Sequence, residues 1–184
     1  MRERIMSVAI EEMNEKGRRF TMDDLAKRLG VSKRTLYENF RSKEQLISTV
    51  MDLFLDNVME KDRQIINNET LSTIEKLREL TLVIENELKY INEKTIYQSE
   101  KYYPKQWKKI DAWLKKRAMI QKEIIYEGIK KGELRNINPD ILIKVLNEAK
   151  NWIIDKKFLR ENNLTISEAV GSLVDIVLFG AAKK

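Results

Sequence analysis

An all-α chain of about nine helices is predicted, on three observations. Its 184 residues include only six Gly and two Pro, which leaves little room for the turns of an all-β fold. Charged residues make up 35 % of the chain, and apolar residues recur at helical spacing from end to end. Residues that cap helices stand where those periodic stretches begin and stop. A chain of this length buries roughly 70 % of its unfolded surface, enough for one domain or two.

Residues 2–16 form the first helix, with Ile5, Val8, Ala9 and Met13 on one face and Gly17 as its stop. Arg2 and Arg4, near its start, read equally as phosphate contacts and as solvated surface charges. Thr21, with Asp24 three residues on, caps a second helix whose apolar stripe is Leu25, Ala26 and Leu29. Gly30 ends it, because glycine tolerates the left-handed conformation that follows a helix. Ser32 then caps a third, Lys33 to Phe40. Leu36 and Phe40 turn inward there, while Lys33, Arg34, Thr35, Tyr37, Glu38 and Asn39 stay outside. Ala26 is small enough to let this helix cross the second closely and steeply, the geometry of a helix-turn-helix.

From Lys27 to Lys43 six basic residues stand against a single acid, Glu38, an excess suited to a phosphate backbone. The outer side of the third helix mixes arginine, threonine, tyrosine and asparagine, donors and acceptors able to meet base edges in a major groove. A charge run alone reads as a solvated face; the turn geometry beside it favours DNA. The net charge of +6 divides into +3 over residues 1–50 and +3 beyond, so the basic signal is local. That favours a DNA-binding module over a membrane-seeking chain.

The segment from Thr21 to Leu46 closely resembles the DNA-binding region of the tetracycline-repressor (TetR) family of bacterial transcription regulators. The resemblance is carried by Thr21, Leu25 with Ala26, Gly30 to Ser32, Thr35 to Tyr37, Phe40, and Ser42 to Glu44. Two positions depart from it: Arg34 stands where many members have glycine, and Asn39 where many have histidine, so the family's base contacts do not carry over there. The DNA-facing set is therefore expected to be Thr21, Ser32, Lys33, Arg34, Thr35, Tyr37, Asn39 and Lys43, with Tyr37 and Lys43 at positions that hold phosphates in the family. The resemblance implies an all-helical homodimer that represses by binding operator DNA and is usually released when a small molecule enters its C-terminal domain. On this reading residues 1–45 read DNA, and residues 46–184 bind the effector and dimerise.

Ser42 opens a fourth helix, with Gln45 completing a capping box and an apolar stripe running to about Glu60. Lys43, in its first turn, is placed to clamp a phosphate. Asp62 to Glu69 reads as a polar connection, and Thr70 as the cap of a helix to about Tyr90. Pro104 breaks the weak pattern of residues 91–103 and starts a long helix that Gly132 ends. Tyr97, Tyr103, Trp107, Trp113 and Trp152 gather around that break and read equally as the lining of a pocket for an apolar or aromatic effector and as plain core. Asn138 with Pro139 begins a helix to about Phe158, and Thr165 with Glu168 begins the last. The final helix is apolar nearly all round and needs cover on two sides, most simply from a second copy of the chain. Val145, Trp152, Val170, Leu173 and Val177 are the expected dimer seam.

The chain has no Cys and no His, which excludes disulfides, Cys/His metal sites, thiol nucleophiles and imidazole acid-base chemistry. No paired carboxylates or Gly-rich phosphate loop stand out, so no catalytic residue, cofactor or metal is expected. Without a signal peptide or an apolar run of membrane-spanning length, the expected location is cytoplasmic. A DNA-binding regulator without a small-molecule input, a helical interaction module and an all-helical enzyme are the competing readings.

Overall fold

In the computed structural model, the residues described are 1–88, 100–153 and 155–181. Their helices are α1 (Arg2–Lys16), α2 (Met22–Leu29), α3 (Lys33–Asn39), α4 (Lys43–Ile66), α5 (Thr73–Leu88), α6 (Pro104–Lys131), α7 (Pro139–Ile153), α8 (Lys156–Glu161) and α9 (Ile166–Ala181). A 3-10 turn, Gly17–Arg19, joins α1 to the residues before α2. The chain divides into two units, Met1–Asn57 with Tyr90–Asp111, and Val58–Lys89 with Ala112–Lys184.

The first unit closes over Ile5, Ala9, Phe20, Leu25, Leu29, Leu36, Phe40, Leu46 and Ile47, all buried. Each large side chain among them contributes about 1.5–3 kcal/mol by leaving water. The buried stripe of α1 ends on a charge, Glu12, which is only 2 % exposed. Lys16 lies 2.8 Å from one of its oxygens and Arg28 3.1 Å from the other, and Arg28 also meets Glu11 and Glu15. Burial raises the Glu12 pKa, but the bonds from Lys16 and Arg28 outweigh it and hold the carboxyl below its ordinary value. Arg28 thus ties α2 to α1. The start of α6 packs in the same unit: Tyr103 lies against this core, Gln106 Nε2 donates to Ser48 Oγ at 2.6 Å, and Lys109 pairs with Asp52.

The second unit closes over Leu77, Leu82, Ile125, Leu134, Leu142, Leu146, Val170, Val174 and Leu178. Its α9 packs on α5 and α7. Gly128 lets α6 approach the first residue of α5, where an added Cβ would sit 3.0 Å from the Thr73 Cβ and closer still to its Cγ2. Glu133 Oε2 accepts the Thr73 N–H at 2.8 Å, satisfying one of the orphan amides at the start of α5.

Three helix boundaries differ from those the sequence predicts. The fourth helix does not stop near Glu60; it runs to Ile66, because Asp62 is buried and paired with Arg117 rather than lying in a polar connection. The fifth is capped by Ser72, whose Oγ accepts the Glu75 N–H, while Thr70 is held in a turn by Asn68. The helix begun by Asn138 ends at Ile153, since Asp155 accepts the Phe158 N–H and starts α8.

Candidate nucleic-acid interface

Short-range caps place the third helix. Thr21 Oγ1 accepts the Asp24 N–H at 3.1 Å while Asp24 Oδ2 accepts the Thr21 N–H at 2.8 Å, so α2 begins with both donors satisfied. The bonds from the Thr21 hydroxyl and amide, with a further one from Lys16, lower the Asp24 pKa to about 2. Gly30 ends α2 with φ 66°, a conformation that strains any residue with a side chain. Ser32 Oγ then accepts the Thr35 N–H at 3.0 Å and α3 begins.

The far ends of both helices are capped by residues of α1. Arg2 Nη1 donates to the Asn39 carbonyl at 2.6 Å, and its guanidinium lies 4.2 Å from the Phe40 ring centroid. Arg4 Nη2 donates to the Leu29 carbonyl at 3.2 Å. These two arginines, read from sequence only as phosphate contacts or solvated charges, put positive charge at the C-terminal, partly negative ends of α3 and α2. Their spacing on a helix start was visible; the carbonyls they reach were not.

With its inner face and both ends held, α3 leaves Lys33, Arg34, Tyr37 and Glu38 exposed, and Thr35 and Asn39 half-buried. Lys33 Nζ pairs with Asp23 at 2.5 Å, which raises its pKa, and Arg34 Nε pairs with Glu38 at 2.9 Å one turn away. Both partners are exposed acids, so water competes with the pairs and a phosphate can displace them. Asn39 Nδ2 donates to the Thr35 carbonyl at 2.8 Å. Thr21 and Ser32 are exposed at the two N-caps, and Lys27 and Arg41 are exposed as well.

Lys43, expected to clamp a phosphate, makes contacts within its own chain. Its Nζ donates at 2.6 Å to both the Arg18 and Phe20 carbonyls and lies 3.9 Å from the Phe20 ring centroid. Burial, then the nearby Arg18 charge, lowers its pKa. The ammonium braces the start of α4 against the turn that leads into α2. Ser42 Oγ accepts the Gln45 N–H, but Gln45 Oε1 reaches back to the Arg41 amide rather than to that of Ser42.

The aromatic residues expected to line one pocket are divided between the units. Tyr103 and Trp107 are half-buried in the first, and burial followed by the Glu44 charge raises the Tyr103 pKa. Trp113 is buried in the second, its ring centroid 5.4 Å from the Arg117 guanidinium carbon, and Trp152 is 77 % exposed. Tyr97 lies outside the described residues. Of the expected dimer seam, Val145 and Trp152 are exposed and Leu173 and Val177 half-buried. Val170 is fully buried in its own chain's core, so it stabilises α9 and has no surface to offer a second copy.

Residues 5–50 match the family model described as bacterial regulatory proteins, tetR family. A protein of Bacillus subtilis (strain 168), described as the uncharacterized HTH-type transcriptional regulator YvaF, is 31 % identical over 180 residues, covering 98 % of this chain and 95 % of that one. The HTH-type transcriptional repressor KstR2 of Mycolicibacterium smegmatis is 24 % identical over 97 % of this chain and 89 % of its own. Among solved structures, the TetR family regulator PfmR of Thermus thermophilus superposes with a TM-score of 0.75 at 21 % identity, over 97 % of this chain and 99 % of that one. Sequence likeness along nearly the whole chain joins here with a capped helix-turn-helix whose second helix is open to solvent, and the chain belongs to the TetR family of DNA-binding transcription regulators.

Proposed function

We propose that this chain is a homodimeric repressor that holds operator DNA through α3 and releases it when a small molecule enters the second unit. The observation that carries the reading is the exposed row Lys33, Arg34 and Tyr37 on a helix immobilised on every other side. Arg34 and Thr35 read base edges, Lys33 and Tyr37 hold phosphates, Thr21, Ser32 and Asn39 set the approach, and Lys43 fixes the brace from which α4 departs. Repression is supported by the printed description of KstR2 as a repressor. A regulator of bacterial chromosomal DNA works in the cytoplasm, and among the described residues no helix is long and apolar enough to cross a membrane.

Dimerisation is assigned to the open faces of α7 and α9. Ile141, Val145 and Trp152 on α7, with Ile176 and Phe179 on α9, are exposed, and the two helices pack side by side. Leu173 and Val177 border that face. Covering it with its own mate gives the isologous contact of a two-fold dimer, which presents two recognition helices to successive grooves about 34–36 Å apart.

The effector site is assigned to a cavity of about 260 Å³ between α5, α6 and α7, lined in part by Thr81, Leu114, Arg117, Leu146 and Lys150. Arg117 in its wall is paired with Asp62 on α4, the helix whose first residue is Lys43. A ligand that changes this pair biases the helix that leaves the DNA-binding unit, and it releases operator only by its differential affinity for the two states. Fluorescence anisotropy on a labelled operator and a scrambled duplex tests the DNA reading. Binding to both should weaken steeply with salt, and the operator should be preferred at least about a thousandfold. Equal affinity for both duplexes, or no salt dependence, contradicts it.

A further inference from the structure

Three stretches far apart in the chain meet at the turn before α2, and they bring cations together there. Lys43, at the start of α4, donates to the Arg18 and Phe20 carbonyls. Tyr102, two residues before α6, has the Arg18 guanidinium carbon 4.1 Å from its ring centroid and the Lys101 ammonium at 5.6 Å. Tyr103 beside it packs against the core of the first unit, where the charges of both Glu44 and Arg18 act on it. Over residues 18–20, 41–44 and 100–103, five cations stand against two carboxylates, Glu44 and Glu100. Arg18, Arg19, Arg41 and Lys101 are exposed. Two exposed like charges on one tyrosine ring repel each other, and a polyanion laid across them removes that repulsion.

The place of this patch in the first unit says which polyanion fits it. In a helix-turn-helix the second helix enters the major groove while the first crosses the backbone. Here those helices are α3 and α2, and Arg19 stands two residues before Thr21, the exposed N-cap of α2. The turn that carries Arg18 and Arg19 therefore belongs beside the phosphates that border the groove, outside the stretch that α3 reads. Resting on the DNA reading above, we propose that Arg18, Arg19 and Lys101 hold the sugar–phosphate backbone that flanks each half-site, so that residues just before α6 extend the DNA footprint of the helix-turn-helix. The Tyr102 ring sets Lys101 beside Arg18, across 83 residues of sequence. Contacts of this kind carry no base information and strengthen binding to every duplex alike.

Anisotropy titrations of the full-length protein at several salt concentrations test the proposal, on a labelled scrambled duplex and on a labelled duplex selected by the wild type from a random pool. Arg19→Gln and Lys101→Gln should each lower the steepness of log affinity against log salt by about 0.9, the loss of one phosphate contact, and together by about 1.8. Affinity should fall by roughly three- to tenfold per substitution, equally on both duplexes. Lys101→Arg should keep the wild-type slope. Trimming the selected duplex to the span of its half-sites should remove the Lys101→Gln effect, because the flanking phosphates are then gone. Both side chains are exposed, so thermal unfolding should not move. A Lys101→Gln protein with wild-type slope and affinity overturns the proposal whatever Arg19→Gln does, and it leaves the DNA reading standing where the wild type itself binds with a steep slope. An effect undiminished on the trimmed duplex contradicts the flanking position, and weaker binding with an unchanged slope and a lower Tm makes Lys101 a packing residue instead. A wild type that binds neither duplex removes both the patch and the DNA reading.

Discussion

Lys43 shows how a residue's neighbours decide its part in DNA binding. Two carbonyls at 2.6 Å occupy its ammonium, so its removal should loosen the joint between α4 and the turn before α2 without subtracting a phosphate contact. Lys43→Ala should weaken binding to every duplex alike with the salt slope unchanged; a slope lower by about 0.9 would show the ammonium on a phosphate instead. Arg34 pairs with exposed Glu38, and Arg34→Ala should cost roughly 1–3 kcal/mol at particular base pairs while scrambled duplexes lose little. Asp24 carries a pH signature. Its carboxyl is held to about 2 by the Thr21 bonds, below the unfolded value of about 3.9, so the stabilisation is complete above the unfolded value and is lost as pH falls through 2. Urea midpoints of wild type and Asp24→Asn, followed by circular dichroism, should differ at neutral pH and converge by about pH 2. A difference independent of pH would place the effect outside the carboxylate.

At the scale of the helix, what was legible in the sequence was whatever two residues a few positions apart decide between themselves. Thr21 with Asp24, Ser32 with Thr35, Asn138 with the amides after Pro139, and Thr165 with Glu168 all cap as read, because both partners lie within one turn. Asp62 and Glu12 were not legible. Asp62 looks like the start of a loop until Arg117, 55 residues away, is placed against it, and Glu12 looks solvated until Arg28 crosses over from α2. Val170 makes a related point: spacing shows that α9 is apolar all round, but only packing shows that its own chain buries this residue. The α5–α6 approach gives a prediction of the same kind. Gly128→Ala should destabilise by about 1–3 kcal/mol despite the better helix propensity of alanine, because its methyl meets Thr73 Cγ2. Adding Thr73→Ser removes that methyl and should restore part of the loss in thermal unfolding. A stabilised Gly128→Ala would mean that α5 and α6 separate easily.

For the whole molecule, the proposed recognition by α3 and the proposed pairing by α7 and α9 stand or fall together, since one helix reaches one groove. Ile176 is 73 % exposed and Phe179 69 % exposed, an apolar surface that water leaves unsatisfied and a second copy can bury. Ile176→Glu should leave the monomer's fold intact and shift sedimentation from dimer to monomer, with operator affinity lost in parallel. An unchanged dimer would put the interface elsewhere. The most direct measurement of the central claim is selection of bound sequences from a random duplex pool by the intact protein. The account predicts an enriched inverted repeat whose half-site centres lie about one helical turn or a whole multiple apart, with defined base pairs relaxed when Arg34→Ala is used in its place. Enrichment of a site without two-fold symmetry that Arg34→Ala leaves unaltered, or of no site at all, would contradict it.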